Sequence, residues 1–225
     1  MLVMLVGLIS DVHSNAVALR EVLSEFERLG VGVILSAGDV VGYNPYPEDT
    51  VNLFRRERIV SIMGNHDRAV VTGDTSGFNE IARAAVAWTS NAISEKSLEY
   101  LRGLASSLEV RIDDLSIHIN HGSPSDPDEY IYGFSQELIP PGCDLLLLGH
   151  THVQSAAEFD SGSVVNPGSV GQPRDRDPRA AFATLDTDNR AIELGRIEYD
   201  VEKVMEDIFL SGLPEILGSR LLSGR

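Results

Sequence analysis

Five short stretches of this chain carry residue types that bind metal ions: Asp11-Val12-His13, Gly38-Asp39, Gly64-Asn65-His66-Asp67, His121-Gly122 and Gly149-His150-Thr151-His152. Imidazole, carboxylate and carboxamide donors without a thiolate suit divalent manganese, iron, zinc, cobalt or nickel. In an extended segment, residues two apart point to one side, so Asp11 with His13, and His150 with His152, can each reach one ion. Two such pairs plus single donors can hold two ions about 3.5–4 Å apart, with a carboxylate between them as a bridge. Paired ions turn a shared water into hydroxide and neutralise phosphate oxygens, which is the chemistry of phosphoester hydrolysis. Each piece alone has a plain structural explanation: an Asp or Asn in a turn or helix cap, a glycine in a tight turn. All five in order, each after an apolar strand, are harder to explain that way.

The elements that must position these groups alternate. Residues 3–9 form an apolar run that predicts a strand. Residues 15–29 have helical apolar spacing, with Ser14 or Asn15 as cap and Gly30 as terminator. A strand over 31–35, a turn-rich stretch over 42–47, a helix over 47–57 and a strand over 59–63 follow. Two helices over 79–92 and 94–103 occupy the middle. The second half turns to strands: 108–112 and 115–119 around Asp113-Asp114, then 145–148, 154–159, 163–165, 180–186 and 191–199. A helix over 200–211 and a Gly-Ser-rich segment finish the chain. Ligand sites in open α/β sheets lie at the carboxyl ends of strands, where all five stretches fall. Periodicity alone gives an α/β fold with a large sheet component.

Bulk properties set limits. The chain of 225 residues suits one domain, residues 1–225, with 212–225 as a candidate C-terminal tail. Its net charge of −16 disfavours duplex DNA, whose binding needs Lys and Arg on phosphates, and disfavours anionic membranes. Only two of its 18 basic residues are lysines, a balance open to a halophilic source or a GC-rich genome. Cys143 stands alone, which excludes an intramolecular disulfide and reads as a buried small residue. The apolar start, MLVMLVGLI, has no basic leader region and is too short to span a bilayer. It runs straight into Asp11, so the expectation is a cytoplasmic protein with a buried first strand.

The pattern resembles the calcineurin-like metallophosphoesterase superfamily, whose signature is Asp-x-His, Gly-Asp-x-x-Gly, Gly-Asn-His-Asp/Glu, a His, and Gly-His-x-His. Here these are residues 11–13, 38–42, 64–67, 121 and 150–152 with its preceding glycine, and no expected ligand is missing. Residues 166–174, Asn-Pro-Gly-Ser-Val-Gly-Gln-Pro-Arg, are similar to the closing segment of the small single-domain phosphodiesterase branch. The resemblance implies a four-layer α/β/β/α sandwich of two mixed sheets flanked by helices. It implies one ion held by Asp11, His13, Asp39 and His152, and another by Asp39, Asn65, His121 and His150. It also implies that His66 faces the leaving-group oxygen as a general acid, assisted by Asp67. The stretch after Asp39 lacks the Asp-Arg-Gly of the protein phosphatases, so a small phosphodiester or nucleotide-type substrate is expected. Two other readings remain, a protein-binding scaffold and a slow nucleotide-binding regulator.

Substrate contacts are less constrained. Arg174 either grips a phosphate bidentately or is a solvated residue among Arg176, Asp177 and Arg179. Tyr43 and Tyr46 either stack on a nucleobase at the rim or belong to a rigid Pro-rich turn. Residues 166–171 either offer backbone N–H groups to a phosphate or form a plain turn. His118 alternates away from Leu115, Ile117 and Ile119 and reads as a half-buried strand residue; Trp88 reads as helix core. Apolar residues of the C-terminal segment can pack on the core or on a second subunit, so a homo-oligomer stays open.

Overall fold

The computed structural model describes residues 4–225. Val3, which opens the strand expected over 3–9, lies outside these residues. One sheet has the order β10-β9-β1-β2-β3, from β1 (Leu5–Ile9), β2 (Val31–Ser36), β3 (Val60–Ser61), β9 (Ala180–Asp186) and β10 (Ile192–Ile197). The other has the order β4-β5-β6-β8-β7, from β4 (Ser107–Ile112), β5 (Leu115–Asn120), β6 (Leu145–Leu147), β7 (Ser155–Phe159) and β8 (Gly162–Asn166). Both are mixed. Strands β1, β2 and β3 run parallel, as do β5, β6 and β8, while β9, β10, β4 and β7 pair antiparallel.

The sheets stack through an apolar layer. Val6, Leu8, Leu35 and Ile62 from the first meet Ile117, Ile119, Leu147 and Val165 from the second, all buried. The outer face of the first sheet carries α1 (Ala16–Leu29), α2 (Pro47–Arg56), α3 (Asn65–Thr72), α4 (Glu80–Ala92) and α5 (Glu95–Arg102) over a second core with Phe26, Phe54 and Leu101. The outer face of the second sheet is covered by Ile131, Phe134, Leu138 and Ile139 from the segment after β5, over Leu146, Leu148 and Cys143. The architecture is thus the expected pair of mixed sheets flanked by helices, with the outer cover of the second sheet made by this segment and its single 3-10 turn, Gln136–Leu138.

Local signals worked as read at several ends. Asn15 caps α1 through its side chain to the Ala18 N–H at 3.1 Å, and Gly30 ends the helix in the left-handed conformation. The Asp113-Asp114 turn closes the β4–β5 hairpin, with Ile112 opposite Leu115. His118 is half-buried, opposite Glu109. Trp88 donates its Nε1–H to the Ser211 carbonyl at 2.9 Å, tying α4 to the end of α6 (Val201–Ser211).

Three expectations need correction. The strand expected over 59–63 pairs only at Val60–Ser61, because Met63 leaves the ladder and donates its N–H to the Ala105 carbonyl at 2.7 Å. The Asn65-His66-Asp67 stretch, to which no helix was assigned, opens one, α3. The segment 212–225 is not a loose tail: α7 (Glu215–Leu221) buries Leu213, Leu217 and Leu221 beside Val204 and Ile208 of α6. The stripe at positions 213, 217 and 221 has helical spacing, hidden in sequence by the Gly and Ser residues between.

Candidate metal centre and active site

The carboxyl ends of the parallel strands converge on one edge of the sandwich. Asp11 and His13 follow β1, Asp39 follows β2, Asn65 follows β3, His121 follows β5, and His150 and His152 follow β6. All seven side chains are buried. The segments that carry them are not extended as the two-residue spacing suggested. Asp11, His13, Asp39, His150 and His152 all have φ between 48° and 68°. Left-handed backbone at non-glycine residues costs about 1–3 kcal/mol each and persists only where the surroundings enforce it. Here the enforcement is visible. Asp11, His13 and Ser14 donate their N–H groups to the carbonyls of Gly38, Asp39 and Val40 at 2.9–3.0 Å, so the two loops lock together.

Glycines permit the closest approaches. A Cβ on Gly64 would lie 2.1 Å from Asp39 Oδ1, and one on Gly171 would lie 1.9 Å from the Val12 carbonyl oxygen. Residues 166–174 brace the Asp11 loop from behind. Val170 and Gly171 donate N–H to the carbonyls of Ser10 and Asp11, both at 3.1 Å, and the Gln172 N–H goes to Ser169 Oγ at 2.7 Å. Those donors are spent inside the protein, so this segment acts as a brace rather than a phosphate cradle.

Four imidazoles are oriented alike. His13 Nδ1 faces the Val41 carbonyl at 3.2 Å, His121 Nδ1 that of Ala37 at 2.7 Å, His150 Nε2 that of Asp128 at 3.2 Å, and His152 Nδ1 that of Gln172 at 2.6 Å. A carbonyl only accepts, so each ring must place its N–H there, and in a neutral ring the other nitrogen carries a lone pair. The inner nitrogens point at further acceptors. His13 Nε2 and His152 Nε2 are 3.0 Å apart, with Asp11 Oδ1 at 3.3 Å from His152 and 3.7 Å from His13. His121 Nε2 lies 2.9 Å from Asn65 Oδ1 and 3.2 Å from His150 Nδ1, which is itself 3.1 Å from Asn65 Oδ1. Asp39 Oδ2 sits between the two groups, 3.5 Å from His13 Nε2 and 3.3 Å from His121 Nε2. Its Oδ1 accepts the His66 backbone N–H at 2.8 Å.

Acceptors packed this way repel unless a cation joins them. Asp11 Oδ1 is buried and has no hydrogen-bond donor. Burial holds His13, His150 and His152 below the ordinary imidazole range, His150 at about 4, which leaves them as neutral ligands. His121 behaves differently: burial, the largest influence, opposes its charge, but the Asp39 carboxylate, Asp11 and the Ala37 carbonyl together push it up to about 10. The site therefore favours a positive charge beside Asp39, which a bound metal ion would supply in place of that proton. The donor set fits divalent metal at both groups, and the carbonyl partners fix ring orientation as outer-shell groups do in metal sites.

The remaining expected residues divide. His66 joins the cluster: its ring packs 4.8 Å from His13, 4.3 Å from Tyr43 and 4.7 Å from Phe78, and its buried Nδ1 has no hydrogen-bond partner. Burial lowers its pKa to about 4. Asp67 does not assist that ring. At the third position of α3 its carboxylate folds back and accepts the N–H groups of Gly64, Val40 and Val41 at 3.0, 3.2 and 3.0 Å. Burial, then the Asp39 charge, raises Asp67 to about 7. Its task is to pin the loop after β2 onto α3. Asp67→Ala strands three buried N–H donors and is expected to cost about 3 kcal/mol. For a chain of this size thermal unfolding should then fall by about 6–12 °C; an unchanged Tm by calorimetry would remove this role.

Tyr43 reaches the site but is buried against His13 and His66, so its ring has no free face at the rim. Tyr46 does not reach it; its phenol donates to Asp207 on α6. Arg174 stands over Tyr43, 5.8 Å from the ring centroid, with Nη2 at 3.4 Å from the Tyr43 hydroxyl and 3.2 Å from Gln172 Oε1. Among the described residues it has no carboxylate partner, whereas Arg179 pairs with Asp177. Tyr130 was not foreseen. Its ring lies 3.9 Å from that of His150, on the loop that also supplies the Asp128 carbonyl. The signal available was position alone, a Pro- and Asp-rich stretch directly after His121.

Two mixed five-stranded sheets with this donor cluster at their shared carboxyl edge define the calcineurin-like phosphoesterase superfamily, and the chain belongs to it. The family's domain, described as the calcineurin-like phosphoesterase superfamily domain, matches residues 4–190. The fold is similar to the crystal structure of a metallophosphoesterase from Sphaerobacter thermophilus, with 35% identity and a TM-score of 0.83, covering 99% of this chain and 100% of that one. An uncharacterized protein of Methanocaldococcus jannaschii is 33% identical over 240 residues, 98% of each chain. Phosphodiesterase YfcE of Escherichia coli is 27% identical over 184 residues, covering 80% of this chain and 85% of that one. Among the described residues, no helix is long and apolar enough to cross a membrane.

Proposed function

We propose that this protein is a metal-dependent phosphodiesterase that holds two divalent ions and cleaves small phosphodiester or nucleotide-type substrates. The observation that carries the reading is the inward set of lone pairs, with every outer imidazole N–H committed to a carbonyl. One ion belongs with Asp11, His13, Asp39 and His152, the other with Asp39, Asn65, His121 and His150. When bound, such ions acidify a shared water and neutralise phosphate oxygens.

The chain's own residues then divide the work. Asp39 links the two groups through one oxygen and holds the His66 backbone with the other. Arg174, free of carboxylates, grips a phosphate oxygen through its guanidinium. His66 faces the departing ester oxygen, with Tyr43 and Phe78 fixing the ring plane. A relative named as a phosphodiesterase supports a diester substrate.

The test is hydrolysis of bis-p-nitrophenyl phosphate and p-nitrophenyl phosphate by protein stripped of metal and reloaded with Mn²⁺. Turnover should depend on metal and favour the diester; metal-independent turnover would sink the proposal. Binding has its own readout. Metal at about 100 times its dissociation constant should stabilise the fold by about 2.7 kcal/mol, a rise of about 5–11 °C in Tm. No rise on reloading would mean that the cluster does not take up metal.

A further inference from the structure

A cleft of about 420 Å³ opens beside the Asn65 and His150 end of the cluster. Its volume falls in the range of small-molecule sites. Phe78 lines one part of it and packs against His66, so the cleft continues from the side of the cluster where a leaving group departs. Tyr130 lines another part. Its ring covers His150 on one side, yet the residue is 52% exposed. Tyr132 stands near-parallel to it, at 9° with 6.3 Å between centroids, and is 68% exposed. Tyr130 is thus packed on His150 from one side while about half of it stays open at the cleft.

The charge of the cleft narrows what fits. Its one cation, Arg68, is bound to both oxygens of Asp128 at 2.7 Å. Asp74, also in the lining, has no basic partner. A second phosphate would meet net negative charge here, while an uncharged ring would meet an aromatic face.

We propose that this cleft is the leaving-group subsite, and that it takes a nucleoside whose base lies on Tyr130. This rests on the phosphodiesterase reading above. Water oxygen bonds to phosphorus, the P–O bond to the nucleoside breaks, and the nucleoside oxygen leaves with a proton, giving a free nucleoside and a phosphomonoester.

The experiment is inhibition of bis-p-nitrophenyl phosphate hydrolysis by adenosine, with ribose as control, on the Mn²⁺-loaded protein. Adenosine should compete and ribose should not. Tyr130→Ala should weaken adenosine by about 5- to 30-fold, within the range of one stacked base, and Tyr130→Phe should restore it. Metal content of each variant shows whether His150 has been disturbed; the effect must appear at unchanged metal content. Equal inhibition by adenosine and ribose, or no change in Tyr130→Ala, overturns the subsite and leaves the phosphodiesterase reading standing. If the loaded protein hydrolyses neither aryl ester, that reading fails. The subsite is then judged by saturation-transfer NMR of adenosine, whose ring-proton signals must appear with the unaltered chain and vanish with Tyr130→Ala.

Discussion

Asp39→Asn should empty both halves of the metal centre at once and reduce phosphodiester hydrolysis by more than about 10²-fold. Loss of an outer-shell group already costs about 10–100-fold, and the proposed assignment makes Asp39 a direct ligand of both ions. The argument is geometric. Asp39 Oδ2 is the atom shared by the His13 and His121 groups, while Oδ1 is held by the His66 N–H. An asparagine has two choices in that frame. If its oxygen keeps the His66 bond, its NH₂ turns inward and donates to the imidazole lone pairs, filling with protons the place of a cation. If its oxygen turns inward, the NH₂ faces the His66 N–H, donor against donor. The first arrangement leaves no new group without a partner, so metal-free Asp39→Asn should melt no lower than metal-free parent protein. It should also lose the rise in Tm on adding Mn²⁺. Elemental analysis decides the point: both ions must disappear together, and full retention of either removes the bridging role.

That same frame shows what the sequence could and could not carry. Which side chains converge was legible, because all seven candidate positions sit at strand ends in a fixed order, and chance does not arrange five such stretches. How they converge was not. The two-residue spacing suggested extended segments, but five of the seven residues occupy left-handed backbone. That geometry depends on N–H bonds between loops 26–27 residues apart in the chain, such as Ser14 to the Val40 carbonyl, which no local pattern records. The Asp67 carboxylate makes the same point. Its position beside His66 suggested a partner for the ring, yet at the start of a helix the nearest unpaired donors are backbone N–H groups, and these took it.

The fold follows the same division. Strands that alternate or run apolar, and helices with caps, were placed within a few residues of where they lie. What failed were elements whose reason is tertiary. Helix α7 exists because its leucine stripe finds Val204 and Ile208 on α6. Tyr43 and Tyr46 share a loop and looked equivalent, but one is drawn under His66 and the other toward Asp207. Tyr130 enters the site from a stretch with no regular structure, and only the loop's path over β6 brings it to His150.

His66→Ala should leave both ions in place and slow the enzyme by about 10²–10⁴-fold on poor leaving groups, the range for removal of a positioned acid. Metal retention follows from the main chain: the bond from residue 66 to Asp39 uses the backbone N–H, which alanine keeps. The proposed assignment gives this side chain no ligand role, and its buried Nδ1 has no partner, so its loss leaves no new orphan; loss of an ion from His66→Ala would instead make it a metal donor beside His13 and Asp39. Burial keeps the ring neutral at pH 7 in the free site, with a pKa of about 4, so a proton must arrive with the anionic substrate or come from the ring's single N–H. In either case the benefit scales with the charge that builds on the departing oxygen. p-Nitrophenolate is stable without help, and its release should slow far less than that of an alkoxide. The measurement is kcat on a series of diesters of rising leaving-group pKa, with metal content checked in parallel. A steeper dependence in His66→Ala than in the parent, with partial rescue by added imidazole, is the expected result. Equal losses across the series would assign the ring to substrate positioning, held between Tyr43 and Phe78, and not to proton donation.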